Sequence, residues 1–143
     1  VSSNTALVQI INDNYKDDPK RFVDGLFKMK INESLGLPIL GEGEPLFTHP
    51  SDKINWDGLD LPWMAFGYGI SLTPLQTLTF YNAIANDGVM VKPRFINEVK
   101  HFDETIEKFE PEIISKSICS KETVEIVKKM MSLNKLKREI VDF

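Results

Sequence analysis

The sequence predicts an α+β chain that is mostly helix. Four segments carry apolar residues at helical spacing behind a capping residue. Between the second and third of them lies a long stretch with no period of 2 or 3.6. Strand character is confined to the run that follows Gly88.

The first helix is predicted over about residues 4–13, NTALVQIIND, with Leu7, Ile10 and Ile11 on one face and Ser3 or Asn4 as its cap. The second follows Asp17-Asp18-Pro19. Asp18 caps it, and Pro19 takes the first helical position, where a missing N–H costs nothing. Phe22, Val23, Leu26 and Phe27 recur there at core spacing, and Lys28 and Lys30 suit the C-terminal dipole. Gly25 inside it lowers helix propensity by about 1 kcal/mol relative to alanine. Residues 36–65 contain four prolines and four glycines with Phe47, Ile54, Trp56, Leu59, Leu61 and Trp63, and are predicted to form a long, ordered loop. The third helix is predicted from Thr73, with Thr73 and Gln76 as a capping box, Pro74 in the first turn and Gly88 as a left-handed cap. Leu75, Leu78, Phe80, Tyr81, Ile84 and Ala85 wrap most of its circumference, which predicts burial on several sides. VMVKPRFINEVKHF reads as extended strands around a Lys92-Pro93 corner, and a fourth helix starts at Ser120 with Val124, Val127, Met130 and Met131 on its packed face.

Composition narrows the function classes. A chain of 143 residues fits one domain and can bury a core. The apolar fraction is 42% and the charged fraction 27%, ordinary for a globular protein. A net charge of −4 gives no basic footprint for nucleic acid. The single cysteine, Cys119, excludes an internal disulfide and a thiolate metal cluster and reads as a small apolar residue near a helix start. The apolar runs are too short for a signal peptide or a membrane span. The abrupt opening VSSN reads as the middle of a longer protein.

Several residues are candidates for chemistry only on inspection. His49 and His101 fall in a loop and a strand with no second ligand at metal spacing, and are expected at the surface. Asp57 and Asp60 near Trp56 and Trp63 admit a glycan-binding loop, but a packed loop with exposed acids is the expected arrangement. Glu42 and Glu44 are too loosely placed for an acid/base pair. The tripeptide Gly67-Tyr68-Gly69 lacks the spacing and the lysine of a phosphate-binding loop; its glycines permit backbone angles that a Cβ would block.

The run FGYGISLTPLQTLTFYNAIANDGVMVKP, residues 66–93, strongly resembles the segment of penicillin-binding transpeptidases that reads GYG…TPLQ…Y..IAN.G…P, and the class B enzymes of cell division and elongation fit it best. Ser2-Ser3-Asn4 resembles the S-x-N motif of that family, followed by an apolar helix and preceding GYG…TPLQ in the correct order. The resemblance covers roughly residues 1–131. It implies the helical part of a β-lactamase/transpeptidase-like fold, a sheet flanked by helices. It further implies a serine D,D-transpeptidase that cross-links peptidoglycan stem peptides and is acylated by β-lactams, with no metal or organic cofactor. Its parent would sit at the periplasmic face of the bacterial cytoplasmic membrane, anchored by a helix outside this chain and bound to division or elongation proteins.

By the same resemblance, Ser2 and Asn4 are the site residues. Ser2 would relay a proton toward the leaving group, and Asn4 would hydrogen-bond the substrate amide. Read locally, Ser2 to Asn4 is a helix cap. The family's other two motifs are absent from the sequence in the expected order. The only S-x-x-K string, Ser132-Leu133-Asn134-Lys135, follows S-x-N instead of preceding it, and K-T-G does not occur. Residues 132–143 read as an atypical tail, with Leu133, Leu136 and Ile140 at weak helical spacing. The chain by itself is therefore expected to be inactive. It is also expected to self-associate through apolar surface that the parent would cover. The alternatives are a non-catalytic interaction module and a β-lactam-sensing domain on the same scaffold.

Overall fold

Helix α1 (Asn4–Tyr15) begins where its cap places it. The Ser3 hydroxyl accepts from the Ala6 N–H at 3.3 Å, and Ser3 keeps an extended backbone. Helix α2 (Pro19–Lys28) repeats the device, with the Asp18 carboxylate accepting from the Arg21 N–H at 3.3 Å and Pro19 opening the first turn. The corner between the two helices is closed by Arg21, whose guanidinium donates to the Asn14 carbonyl at 3.0 Å and lies 4.8 Å from the Tyr15 ring centroid. Val23 is fully buried, with Phe22, Leu26 and Phe27 partly so, as their spacing predicts. Lys30 lies beyond the helix end with φ 63° and pairs with Glu33 at 2.6 Å, so only Lys28 meets the helix dipole.

This computed structural model describes residues 3–141, and side chains through residue 132. The chain divides into two compact units, Val1–Pro74 and Leu75–Phe143.

In the first unit, the stretch predicted as loop is stapled by its own acids. Glu42 accepts from the backbone N–H groups of Leu35 and Leu37 at 2.7 and 2.8 Å, and Glu44 takes the Ser34 hydroxyl. Strand β1 (Leu46–Phe47) pairs antiparallel with β2 (Ile70–Ser71). A short helix, α3 (Asp60–Met64), lies where a loop was expected. Pro62 is harmless there, because the first turn of a helix has no internal acceptor for its N–H groups. Helix α1 packs on both α2 and α3. Gly67 and Gly69 turn the chain with φ of 98° and 70°, letting it close on the end of α3: the Gly67 and Tyr68 N–H groups donate to the Met64 and Trp63 carbonyls, both at 3.1 Å.

In the second unit, α4 (Pro74–Ala85) buries Gln76, Thr79, Ala83 and Ile84. The predicted burial on several sides is not reached: Leu78 and Tyr81 remain 62% and 51% exposed. Asp87 and Gly88 both take left-handed angles, and the Gly88 N–H donates to the Ala83 carbonyl at 2.8 Å. Strand β3 (Met90–Val91) pairs with β6 (Ile113–Ser115), and β4 (Glu98–His101) with β5 (Glu104–Lys108), both antiparallel. Phe102, with φ 53°, turns the β4–β5 hairpin. Helix α5 (Lys121–Val141) is capped by Ser120, whose hydroxyl accepts from the Thr123 N–H at 3.2 Å. Its Lys128 reaches back to α4, donating to the Ala85 carbonyl at 3.1 Å and the Asp87 carboxylate at 2.7 Å. A lysine thereby serves the negative end of a helix dipole from a neighbouring helix.

Candidate functional site

The start of α1 carries the residues that the sequence singles out. Ser2 lies outside the described residues. Ser3 is the helix cap, which settles the choice between Ser3 and Asn4 for that role. Asn4 takes the first helical position and is exposed, and its side chain makes no hydrogen bond to another described residue. Its amide is therefore presented outward at a helix N-terminus, with a donor and an acceptor both available to a ligand.

At the end of α3, which packs on α1, the GYG turn gathers three rings. Trp63 and Tyr68 lie 5.0 Å apart, Phe66 and Tyr68 5.5 Å, and Trp63 and Phe66 5.8 Å. Trp63 and Tyr68 stay 45% and 60% exposed and line an open cleft of about 320 Å³ with Asp57, Leu59, Asp60 and Gly69. The two acids have local work. Asp57 accepts from the Leu59 N–H at 2.7 Å, and Asp60 accepts from the Asp57 N–H at 2.5 Å. They shape the entry to α3, as the packed-loop expectation has it, and Trp56 does not line the cleft.

His49 departs from its expectation. It is not a plain surface histidine: its side chain is 20% exposed, bonded to Asp24 at 3.1 Å and to Ser51 at 2.5 Å, and stacked 5.5 Å from the Phe27 ring. A sequence separation of 25 residues between His49 and Asp24 hides that contact from any motif. His101 is exposed, beside Phe102. Asp24, Asp52 and Asp87 have carboxyl groups held below their ordinary value by hydrogen bonds, first from Lys20, Asn55 and Lys128 respectively. Cys119 is free and half-buried just before α5. Among the described residues, no group of three or more His, Cys, Asp or Glu is arranged to hold a metal ion, and no helix is long and apolar enough to cross a membrane.

These elements, a capped helix at an S-x-N string and a glycine-framed turn feeding a TPLQ helix, define a piece of a penicillin-binding transpeptidase fold. Residues 1–139 match the penicillin binding protein transpeptidase domain, and the chain belongs to that family. The match runs through most of the segment 132–143. Penicillin-binding protein PbpB of Mycobacterium tuberculosis is 34% identical over 113 residues, covering 79% of this chain and 16% of that protein. Peptidoglycan D,D-transpeptidase FtsI of Buchnera aphidicola is 29% identical over 109 residues, covering 76% of this chain and 18% of that protein. The structure resembles that of penicillin-binding protein 3 from Mycobacterium tuberculosis complexed with aztreonam, with a TM-score of 0.65 and 32% identity over 85% of this chain and 26% of that one. The chain thus spans less than a fifth of the curated relatives it matches.

Proposed function

We propose that this chain is part of a serine D,D-transpeptidase that cross-links peptidoglycan stem peptides outside the cytoplasmic membrane and is acylated by β-lactams. The observation that carries it is the family match across residues 1–139, with S-x-N, GYG and TPLQ in order. The aztreonam complex of a related protein supports the β-lactam part. The nucleophile would be the serine of an S-x-x-K motif in the parent, with its lysine as proton acceptor, and a K-T-G strand would bind the substrate carboxylate. Ser2 would relay the proton to the leaving group, and Asn4 would bind the amide of the peptide donor. The reaction as proposed needs no metal or organic cofactor. A parent of this kind would be membrane-anchored and work with division or elongation proteins.

The 143-residue chain by itself supplies neither S-x-x-K in the right order nor K-T-G, and is proposed to be inactive alone. Fluorescent penicillin followed by a denaturing gel tests both claims. The parent should carry a covalent label on its S-x-x-K serine, and this chain should carry none. An unlabelled parent overturns the enzyme reading in favour of a non-catalytic module. A labelled chain overturns its inactivity, and peptide mapping of the label tells Ser132 of the S-x-x-K string from any other serine.

A further inference from the structure

Asp24, His49 and Ser51 form a line of hydrogen bonds in the first unit, away from the S-x-N string in sequence and independent of the transpeptidase reading. The backbone N–H of Ser51 points at His49 Nδ1 at 3.1 Å. An N–H can only donate, so Nδ1 carries the lone pair and the ring proton sits on Nε2. Nε2–H then donates to Asp24 Oδ1 at 3.1 Å. That same Nδ1 lone pair, shared with the Ser51 N–H, lies 2.5 Å from Ser51 Oγ, so the hydroxyl can donate to it as well. A hydroxyl against a basic ring nitrogen, with that ring oriented by a carboxylate, is the arrangement that activates a serine nucleophile.

The surroundings hold this line in place. Lys20 binds the other Asp24 oxygen at 2.7 Å, keeping the carboxylate charged. Phe27 stacks on the imidazole with 27° between planes. Pro50 fixes the backbone between base and hydroxyl. The Asp52 N–H closes the turn on the His49 carbonyl at 2.8 Å. Ser51 itself is exposed, so a small electrophile can reach its hydroxyl.

We infer that Ser51 is an activated nucleophilic serine, with His49 as its base and Asp24 as the positioning residue, and that it takes acyl groups from small activated esters. In the step with p-nitrophenyl acetate, Ser51 Oγ bonds to the acetyl carbon and its proton moves to His49 Nδ1. The carbon–oxygen bond to the aryl group breaks, and p-nitrophenolate leaves with the electron pair. The imidazolium gains from the Asp24 charge. The imidazolium gives its proton to solvent. Water then attacks the acetyl-serine, neutral His49 takes a proton from it and passes it to Ser51 Oγ as the acyl carbon–oxygen bond breaks, and acetic acid leaves and ionises to acetate.

The test is p-nitrophenyl acetate at low concentration with the whole chain, followed by peptide mass mapping at successive times. Exposed Ser71 is the internal reference. General-base assistance is expected to acetylate Ser51 roughly 100-fold or more faster than Ser71. His49→Gln should bring Ser51 down to the Ser71 rate. Asp24→Asn should slow it, and Asp24→Glu should restore part of the rate, which a purely structural aspartate would not produce. Melting curves check that each variant folds. Equal acetylation of Ser51 and Ser71 in the unmodified chain, or acetyl groups on Lys20 and not on Ser51, overturns the inference whatever the variants do.

Discussion

Replacing Gly88 and Gly25 by alanine, one at a time, makes the same chemical change in two different backbones. Gly88 sits at φ +87°, and a Cβ built there would lie 3.2 Å from Val124 Cγ2 and 3.9 Å from Ser117 Oγ. Val124 is 3% exposed and has little room to move. A left-handed angle costs a Cβ-bearing residue about 1–2 kcal/mol, and the forced contact adds about 1–2 kcal/mol. Gly25 lies inside α2, and nothing stands within 4 Å of its added Cβ. There alanine gains helix propensity of about 1 kcal/mol. With an unfolding entropy of about 2.1 cal/mol/K per residue, each kcal/mol moves the melting temperature of this chain by about 3 °C. Gly88→Ala should lower Tm by about 7–13 °C, and Gly25→Ala should raise it by about 3 °C. Far-UV circular dichroism melts read both. If the two units melt separately, each shift belongs to its own unit: Leu75–Phe143 for Gly88, Val1–Pro74 for Gly25. Shifts of the same sign, or no loss for Gly88→Ala, would refute the backbone argument.

Other outcomes follow from the same contacts. Ser3→Ala removes the α1 cap and should destabilise the first unit by about 1 kcal/mol in a denaturant melt, while Ser3→Asp should hold it. Asp24, Asp52 and Asp87 have folded-state pKa values below the ordinary 3.8, so their contribution is present above that pH and is lost as pH falls through the folded values. Tm should therefore decline on acidification below about pH 4, and Asp87→Asn should flatten the decline; an acid-insensitive Tm would contradict this. Leu78 and Tyr81 on α4 and the rings of Trp63 and Tyr68 are exposed, so light scattering should find dimers or larger species, reduced by Leu78→Lys.

Much of the fold was legible because its signals are local. Caps at Ser3, Asp18 and Ser120, and the left-handed Gly88, are set by side chains within a few residues of the element they start or stop. What escaped depends on distant partners. Helix α3 is five residues long, too short for a period, and is defined by the turn at Gly67 that closes on it. The β4–β5 hairpin turns through Phe102, a residue with no turn preference, so strand character is legible there and its pairing is not. The apolar circumference of α4 shows what can be buried and not what covers it. Gln76 and Thr79 are buried while Leu78 is not, and Thr79 satisfies its hydroxyl on the Leu75 carbonyl at 2.8 Å. Of the site, Ser2 and Asn4 came from motif resemblance alone, whereas the bonds of His49 and the double grip of Glu42 need the folded chain.

The S-x-N string can be divided into chemistry and stability, and the cap tells how. Because Ser3 caps α1 and the Asn4 side chain makes no hydrogen bond to another described residue, Asn4→Ala should leave the melting temperature nearly unchanged. In a parent carrying all three motifs, the same change should slow β-lactam acylation, because a buried substrate amide left unpaired costs about 1–3 kcal/mol. Each 1.36 kcal/mol is about tenfold in rate, so the expected loss is roughly 5- to 150-fold, with weaker initial binding included. Ser2→Ala should act on the rate constant at saturation, since a proton relay matters in the transition state more than in the complex. A capping role for all three residues would give a different result: Asn4→Ala would lower stability as Ser3→Ala does and leave acylation per folded molecule intact. Acylation kinetics normalised to folded protein separate these outcomes. If Ser3→Ala alone changed stability and neither Ser2→Ala nor Asn4→Ala changed acylation, the string would be a helix cap that happens to spell a motif.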